Sequence, residues 1–263
     1  MTDLTALAAL VEASDGVAPF NEATLTADAA GDEPRVMVRS EVGMGVGYGD
    51  APVELAVTPA ARCQGHGRRL VQDLLDAGET RFWAHGDLPG AQALAAAIDL
   101  SAERTLLVMR RPADPVDAAS APAGVVLRAA TRDDVDGVVT VNGRAFASHP
   151  EQGAMDRPNF ERRASSEWFS WDGLFVAERD GEIVGFHWTK IEDDLGEVYV
   201  VGVDPSEQGT GLGTALTARG LQHLVDAGVS AIDLYVEGDN APALAVYRRL
   251  GFVDHARDTL YAR

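Results

Sequence analysis

The stretch V-G-V-D-P-S-E-Q-G-T-G-L-G-T, Val201 to Thr214, sets Gly209, Gly211 and Gly213 between a β-branched run and a helix-forming run. Glycine passes through backbone conformations closed to other residues. A turn of this kind therefore aims successive N–H groups into one concavity, and the start of the following helix adds the positive end of its dipole. The ligand suited to such a turn is a pyrophosphate. Two other nucleotide signatures do not apply, because no G-K-[ST] follows the glycines and the strand and spacing differ from the dinucleotide pattern. Taken alone, the glycines also fit a turn that binds nothing.

A second stretch follows, L-Y-V-E-G-D-N-A-P-A-L-A-V-Y-R-R-L-G-F, Leu234 to Phe252. Asn240 stands at a helix start, Pro242 falls in the first turn where its missing N–H costs little, and Tyr247 comes two turns on, before Gly251-Phe252. On this pair of motifs the chain resembles the GCN5-related N-acetyltransferase (GNAT) superfamily, in which Q-x-x-G-x-G cradles the CoA pyrophosphate and an N…Y-x-x-x-G-F helix borders the thioester. Further wording narrows the likeness: G-F-H-W-T-K (Gly185 to Lys190), E-V-Y-V-V-G-V-D-P (Glu197 to Pro205), Y-V-E-G-D-N (Tyr235 to Asn240), F-A-S-H-P-E-Q-G (Phe146 to Gly153) and W-A-H-G-D-L-P (Trp83 to Pro89). Over nearly the whole chain this resembles the mycothiol synthase family, actinobacterial enzymes with two such domains.

The resemblance implies acetyl transfer from acetyl-CoA to the cysteinyl amine of 1D-myo-inositol 2-(L-cysteinylamino)-2-deoxy-α-D-glucopyranoside, the last step of mycothiol formation; a monomer that needs no metal is expected. It places the acetyl-CoA contacts at Val201, Gly202, Val203, Gln208, Gly209, Thr210, Gly211, Leu212, Gly213, Thr214, Tyr235, Asn240, Ala241, Pro242, Ala243, Leu244 and Ala245. Amine transfer needs a base for the ammonium proton, a donor for the oxyanion and an acid for the leaving thiolate. Glu197, opening its strand, is the candidate base; a solvated carboxylate at a strand end is the bland reading of the same residue. Tyr247 is the candidate acid, against the alternative of a core tyrosine with a satisfied hydroxyl. Gly202 inside a strand marks a place for a bulge, where backbone N–H groups of Val201 to Val203 meet the thioester carbonyl.

For the amine substrate the resemblance points to Glu151, Lys190, Glu197 and, in the first half, Glu22; singly, each charge also reads as plain surface. Strand alternation puts His187 and Trp188 on opposite faces, so at most one shares the face of Lys190. The first half carries its own turn, R-C-Q-G-H-G-R (Arg62 to Arg68), and its CoA contacts are expected at Leu55, Ala56, Val57, Cys63, Gln64, Gly65, His66, Gly67 and Arg68. No Asn…Tyr-x-x-x-Gly-Phe helix follows it, so this half is expected to bind CoA without catalysing. Cys63 lacks apparent His and carboxylate partners for a nucleophilic role, and direct transfer needs none.

The elements that must position these residues repeat across a break at Arg111 to Gly124, which is rich in Pro, Ala, Asp and Ser. The expected division is 1–112, a linker at 113–123, and a catalytic domain at 124–263. Beyond the break the pattern predicts a strand at 125–128, a helix at 132–146 capped by Thr131, a hairpin of strands at 174–178 and 182–190, and a strand at 197–203 buried on both faces. A helix to about 227, a strand at 231–236, a helix at 241–250 and a last strand to 261 complete that half. Before it come a first helix near 5–11, strands at 36–40 and 53–57, a helix at 68–76, a strand at 81–84, a helix at 91–98 and a strand near 105–109. The fold class is α/β: two tandem GNAT domains, each a mixed central sheet flanked by helices.

Composition narrows the alternatives. A formal charge of −19 disfavours nucleic acid as a partner and leaves an anionic cofactor to local donors. One cysteine excludes an internal disulfide, the scattered histidines argue against a structural zinc site, and no apolar run is long enough to span a bilayer. The apolar first helix lacks a basic leader, so a cytoplasmic enzyme is expected. Two other functions share the cofactor motifs: acetylation of a different amine, such as a peptide N-terminus or an aminoglycoside, and acyl-CoA binding without turnover.

Overall fold

The computed structural model describes residues 3–147 and 150–263, with the backbone alone at 150 and 151. The chain forms two compact units, one of residues 1–107, 237–239 and 256–263 and the other of residues 108–236 and 240–255. This differs from a simple cut in the chain, because the last residues group with the first unit. Residues 113–122 form no helix or strand.

In the first unit α1 (Leu4–Asp15) and α2 (Glu22–Ala30) precede β1 (Val36–Arg39), β2 (Gly43–Gly47) and β3 (Val53–Val57). Then come α3 (His66–Asp76), β4 (Arg81–Ala84), α4 (Pro89–Ala97) and the start of β5 (Ser101–Pro112). β1, β2 and β3 form an antiparallel meander, and β3 pairs parallel with β4. α1 buries Leu4, Leu7 and Val11 against one side of this sheet, with Phe20 and Met44. α3 covers the other side with Val71 and Leu74. The glycines of β2 make that close approach possible: a Cβ at Gly45 would lie 2.6 Å from the Leu74 side chain.

The second unit continues with β6 (Val126–Ala129), α5 (Val135–Ala145), α6 (Pro150–Gly153), α7 (Arg157–Arg163) and β7 (Leu174–Arg179). β8 (Glu182–Glu192), β9 (Leu195–Val203), α8 (Leu212–Asp226), β10 (Ala231–Glu237), α9 (Ala241–Arg249) and β11 (Val253–Ala262) complete the chain. Its strands run β6-β7-β8-β9-β10, antiparallel except for the parallel β9–β10 pair. The distal end of β11 instead pairs antiparallel with β4 in the first unit, Thr259 opposite Ala84. α5 packs on one side of the sheet with Phe186 and Trp188, and Leu212 and Leu216 of α8 pack on the other with Ala177.

Three local expectations are corrected. The helix expected at 132–146 begins as a 3-10 turn, Arg132–Asp134, because Thr131 and Asp134 close a capping box there. β9 is not buried on both faces; burial alternates along it, with Glu197, Tyr199, Val201 and Val203 half-buried. The register shift lies opposite Trp188 and Thr189, where Val200 and Val198 are the partners and Tyr199 is the extra residue, so the bulge is at Tyr199 and not at Gly202. Gly202 is glycine for another reason: a Cβ there would sit 2.4 Å from the Phe186 ring.

Candidate active site

The parallel register between β9 and β10 runs from Leu195↔Ala231 to Val198↔Leu234, yet β9 continues to Val203 and β10 to Glu237. Pairing ends where the bulge begins. An extra residue bends and over-twists its strand, and the bulge at Tyr199 falls where β9 turns away from β10 and backbone groups are left on the parted edges.

Past the parting, β9 enters a braced turn. Asp204 accepts hydrogen bonds from the Ser206 hydroxyl at 2.7 Å, the Ser206 N–H at 3.0 Å and the Arg144 guanidinium at 3.0 Å, which hold its carboxyl below the usual carboxylate range. Buried Glu207 is held by Arg179 through two contacts of 2.7 and 3.1 Å. Beyond this frame Gly209 (φ +78°) and Gly211 (φ +91°) adopt left-handed backbone with open space where a Cβ would point. Gly211 begins α8, whose first turn has neither a side-chain cap nor an acidic residue. Free first-turn N–H groups and the helix dipole make this end a seat for phosphate oxygens.

The other expected contacts divide between backbone and side chain. Gln208 is exposed, Thr210 spends its hydroxyl and N–H on the Glu207 carbonyl at 2.7 and 3.4 Å, and Leu212 is wholly in the core, so only its backbone is available. Gly213 and Thr214 are half-buried in the first turn of α8, and Val201 and Val203 pack toward that helix. Asn240 caps α9 by accepting from the Ala243 N–H at 3.2 Å, with Ala241 and Pro242 exposed in the first turn, Leu244 buried and Ala245 exposed. Tyr235, on the parted part of β10, is 52% exposed.

Tyr247 lies half-buried on α9, its ring edge-on to Phe252 at 5.9 Å. Its hydroxyl has no hydrogen-bond partner among the described residues, and burial pushes its pKa up to about 12. It is therefore a protonated donor at neutral pH. Glu197 lies half-buried on β9, directly opposite Lys190 of β8 and Asp233 of β10. Lys190 is buried, with its ammonium 2.8 Å from Glu192 and 5.3 Å over the Trp168 ring. Trp188 shares this side with Trp168 and Tyr199, whereas His187 faces α8 and bonds the Leu216 carbonyl through Nδ1. The side chain of Glu151 lies outside the described residues.

The first unit repeats the frame without the reactive groups. β3 and β4 pair only from Val53↔Phe82 to Glu54↔Trp83, although β3 runs on to Val57, past half-buried Leu55 and buried Ala56. A 3-10 turn at Pro59–Ala61, Cys63 at φ +58° and Gly65 at φ +85° lead into α3, whose first turn again has no side-chain cap and carries exposed Arg68. Gln64 bonds the Ala60 carbonyl, and His66 and Gly67 are half-buried. Arg62 is committed to Asp15 by paired contacts of 2.7 and 2.8 Å. Matching Val53↔Phe82 with Val198↔Leu234 places Pro52 where Glu197 stands, and aligning H-G-D-L with E-G-D-N places Leu88 at Asn240 and Ala95 at Tyr247. No register shift interrupts β2–β3. Glu22 is the exposed first residue of α2. The braces Asp204, Glu207 and Arg179 escaped sequence reading; only the strand-ending Asp-Pro signals the first of them.

Parted parallel strands, an uncapped glycine turn and a phenol on the next helix define an acyl-CoA-dependent N-acetyltransferase of the GNAT class. Residues 146–252 match the Acetyltransferase (GNAT) family. Two solved structures share the fold: a GCN5-related N-acetyltransferase from Sphaerobacter thermophilus (TM-score 0.72, 20% identity, covering 97% of this chain and 90% of that one), and a tandem GNAT protein from the clavulanic acid biosynthesis pathway (TM-score 0.68, 20% identity, covering 99% and 93%). Among curated relatives, the mycothiol acetyltransferase of Thermomonospora curvata is 46% identical over 99% of this chain and 93% of its own. That of Clavibacter michiganensis is also 46% identical, over 95% and 87%. The chain belongs to the mycothiol acetyltransferase family.

Proposed function

We propose that the chain transfers acetyl from acetyl-CoA to the cysteinyl amine of 1D-myo-inositol 2-(L-cysteinylamino)-2-deoxy-α-D-glucopyranoside, forming mycothiol, as a cytoplasmic monomer that needs no metal. The observation that carries the chemistry is the second unit's pairing of an exposed, uncapped α8 N-terminus with the unpartnered hydroxyl of Tyr247.

The backbone at Gln208 to Thr214 seats the pyrophosphate, chiefly through the N–H groups past Thr210, and the parted edges of β9 and β10 flank the pantetheine arm. Glu197 takes the proton from the ammonium. The freed amine attacks the thioester carbonyl and the oxyanion forms against the N–H groups of Val201 and Val203, which point away from β8. The attacking nitrogen then loses its second proton to solvent, and collapse breaks the C–S bond and expels CoA as a thiolate to which Tyr247 donates a hydrogen bond. Glu22, Glu151 and Lys190 hold the amine substrate, a reading supported by the family resemblance. The half at 1–112, followed by a linker at 113–123, holds CoA at α3 and does no chemistry, since Pro52, Leu88 and Ala95 supply no base, cap or acid; residues 124–263 form the catalytic half.

The test follows CoA release from acetyl-CoA with the purified chain, offering the cysteinyl-glucosaminyl-inositol beside unrelated amines. A preference for the cysteinyl compound supports the reading, and equal rates with peptide or aminoglycoside amines refute it. Glu197→Gln lowers kcat roughly ten- to ten-thousand-fold, the range for a positioned base.

A further inference from the structure

In the first unit one imidazole gathers several segments. His85, just after β4, contacts Glu54 of β3 through Nε2 and Asp258 of β11 through Nδ1, the latter at 3.0 Å. Asp258 also accepts from the Gly86 N–H at 2.8 Å, and Glu54 accepts from the Asn21 N–H at 3.2 and 3.3 Å. Asn21 is the N-cap of α2, accepting from the Thr24 N–H, and Glu22 is the next residue. The Glu54 side chain is 1% exposed, that of His85 14% and that of Asp258 15%.

A carboxylate only accepts hydrogen bonds, so His85 serves both carboxylates when both ring nitrogens carry protons. A carboxylate buried like Glu54 is tolerated only with such a partner. We propose that His85, as an imidazolium, is a positioning residue for the amine substrate: through Glu54 it holds the Asn21 N–H and so fixes the first turn of α2, which presents Glu22. This rests on the reading of Glu22 as a substrate contact. Burial by itself lowers the pKa of His85, but the bonds to Asp258 and Glu54 outweigh it and raise the value to about 9. The remaining neighbours are consistent with this charge: Trp83 stacks on the ring at 6.2 Å, and Asp87 is engaged by the Tyr261 hydroxyl and Gln92 instead. Protonated below that value, the clamp is intact at neutral pH and lost as pH rises through it.

Steady-state kinetics of the full chain with the cysteinyl amine and acetyl-CoA between pH 7 and 10 test this, alongside hydrogen exchange at the Asn21 amide. In His85→Gln the KM for the amine rises roughly tenfold, the scale of a small misplacement of a binding group, while kcat and the KM for acetyl-CoA stay within about twofold. The Asn21 amide exchanges faster in the same variant. Asp258→Asn, which keeps an acceptor for Gly86, moves the pH at which the amine KM climbs to a lower value; this carries the test if His85→Gln does not fold. Glu22→Gln separates the two readings. If it leaves the amine KM unchanged, the substrate role of Glu22 falls and the proposal with it. If it raises the KM but neither His85→Gln nor Asp258→Asn alters the amine KM or its pH dependence, the clamp alone is overturned.

Discussion

Replacing Tyr247 by Phe removes one oxygen and little else. The hydroxyl has no partner among the described residues, so no hydrogen bond is broken and the edge-on contact of the ring with Phe252 remains. Folding stability should therefore be unchanged within about 0.5 kcal/mol. With burial holding the phenol near pKa 12, only about one molecule in ten thousand carries a phenolate at pH 8. The group is a hydrogen donor throughout the working range. A phenol at that pKa is a weaker acid than a free thiol of about 8.5, so full proton transfer to a solvated thiolate would run uphill by about 5 kcal/mol. In the proposed mechanism the donor therefore contributes mainly by stabilising charge on sulfur as the C–S bond breaks. Loss of one such preorganised donor costs about 10²–10³ in kcat, and that is the expected effect of Tyr247→Phe, with the KM for acetyl-CoA little changed. Initial rates of CoA release from pH 6.5 to 9, with thermal melts of both proteins, check it. A kcat within threefold of the parent at every pH would refute the reasoning.

Gly211→Ala puts a side chain at φ +91° with nothing within 4 Å of its Cβ, so its cost is backbone strain, about 1–2 kcal/mol, and not a clash. Calorimetric titration should show weaker acetyl-CoA binding, and unchanged affinity would argue against the α8 turn as the pyrophosphate seat. Gly220→Ala differs, since its Cβ would fall 2.1 Å from the His187 ring; it should lower the melting temperature by several degrees, and an unchanged melt would contradict the packing. Burial holds His187 near pKa 4, below the ordinary histidine value, so the unfolded chain binds more protons between that value and pH 6.5. Its contribution to stability therefore falls as the solution is acidified through that window, and urea melts of His187→Gln should show a smaller loss from pH 7 to 4.5 than the parent.

The glycine turn and the helix start after it were readable because they are local. The turn from Gln208 to Thr214 and the start of α9 at Asn240 depend on positive-φ glycines, a capping side chain and a tolerated proline, each set by residues a few positions apart. Other elements were hidden by composition. β2, G-M-G-V-G, reads as a loop, yet Gly45 leaves the space that Leu74 of α3 needs and Gly43 the space beside the Ala56 carbonyl and Leu70. The polar α2 and the short α6 and α7 carry little periodicity of their own.

Residue types and their order along the chain were thus enough to show an α/β protein with a repeated glycine turn and an asymmetric pair of halves, since no Asn…Tyr-x-x-x-Gly-Phe helix follows the turn at Arg62 to Arg68. Long-range packing decided the rest. The bulge at Tyr199 appears only once β8 and β9 are paired, and it falls where β9 parts from β10. The bracing of Glu207 by Arg179 joins residues 28 positions apart, and the meeting of His85 with Asp258 joins residues 173 apart. No local propensity encodes such pairs: a charge is committed to a partner only when folding removes the water that would otherwise satisfy it.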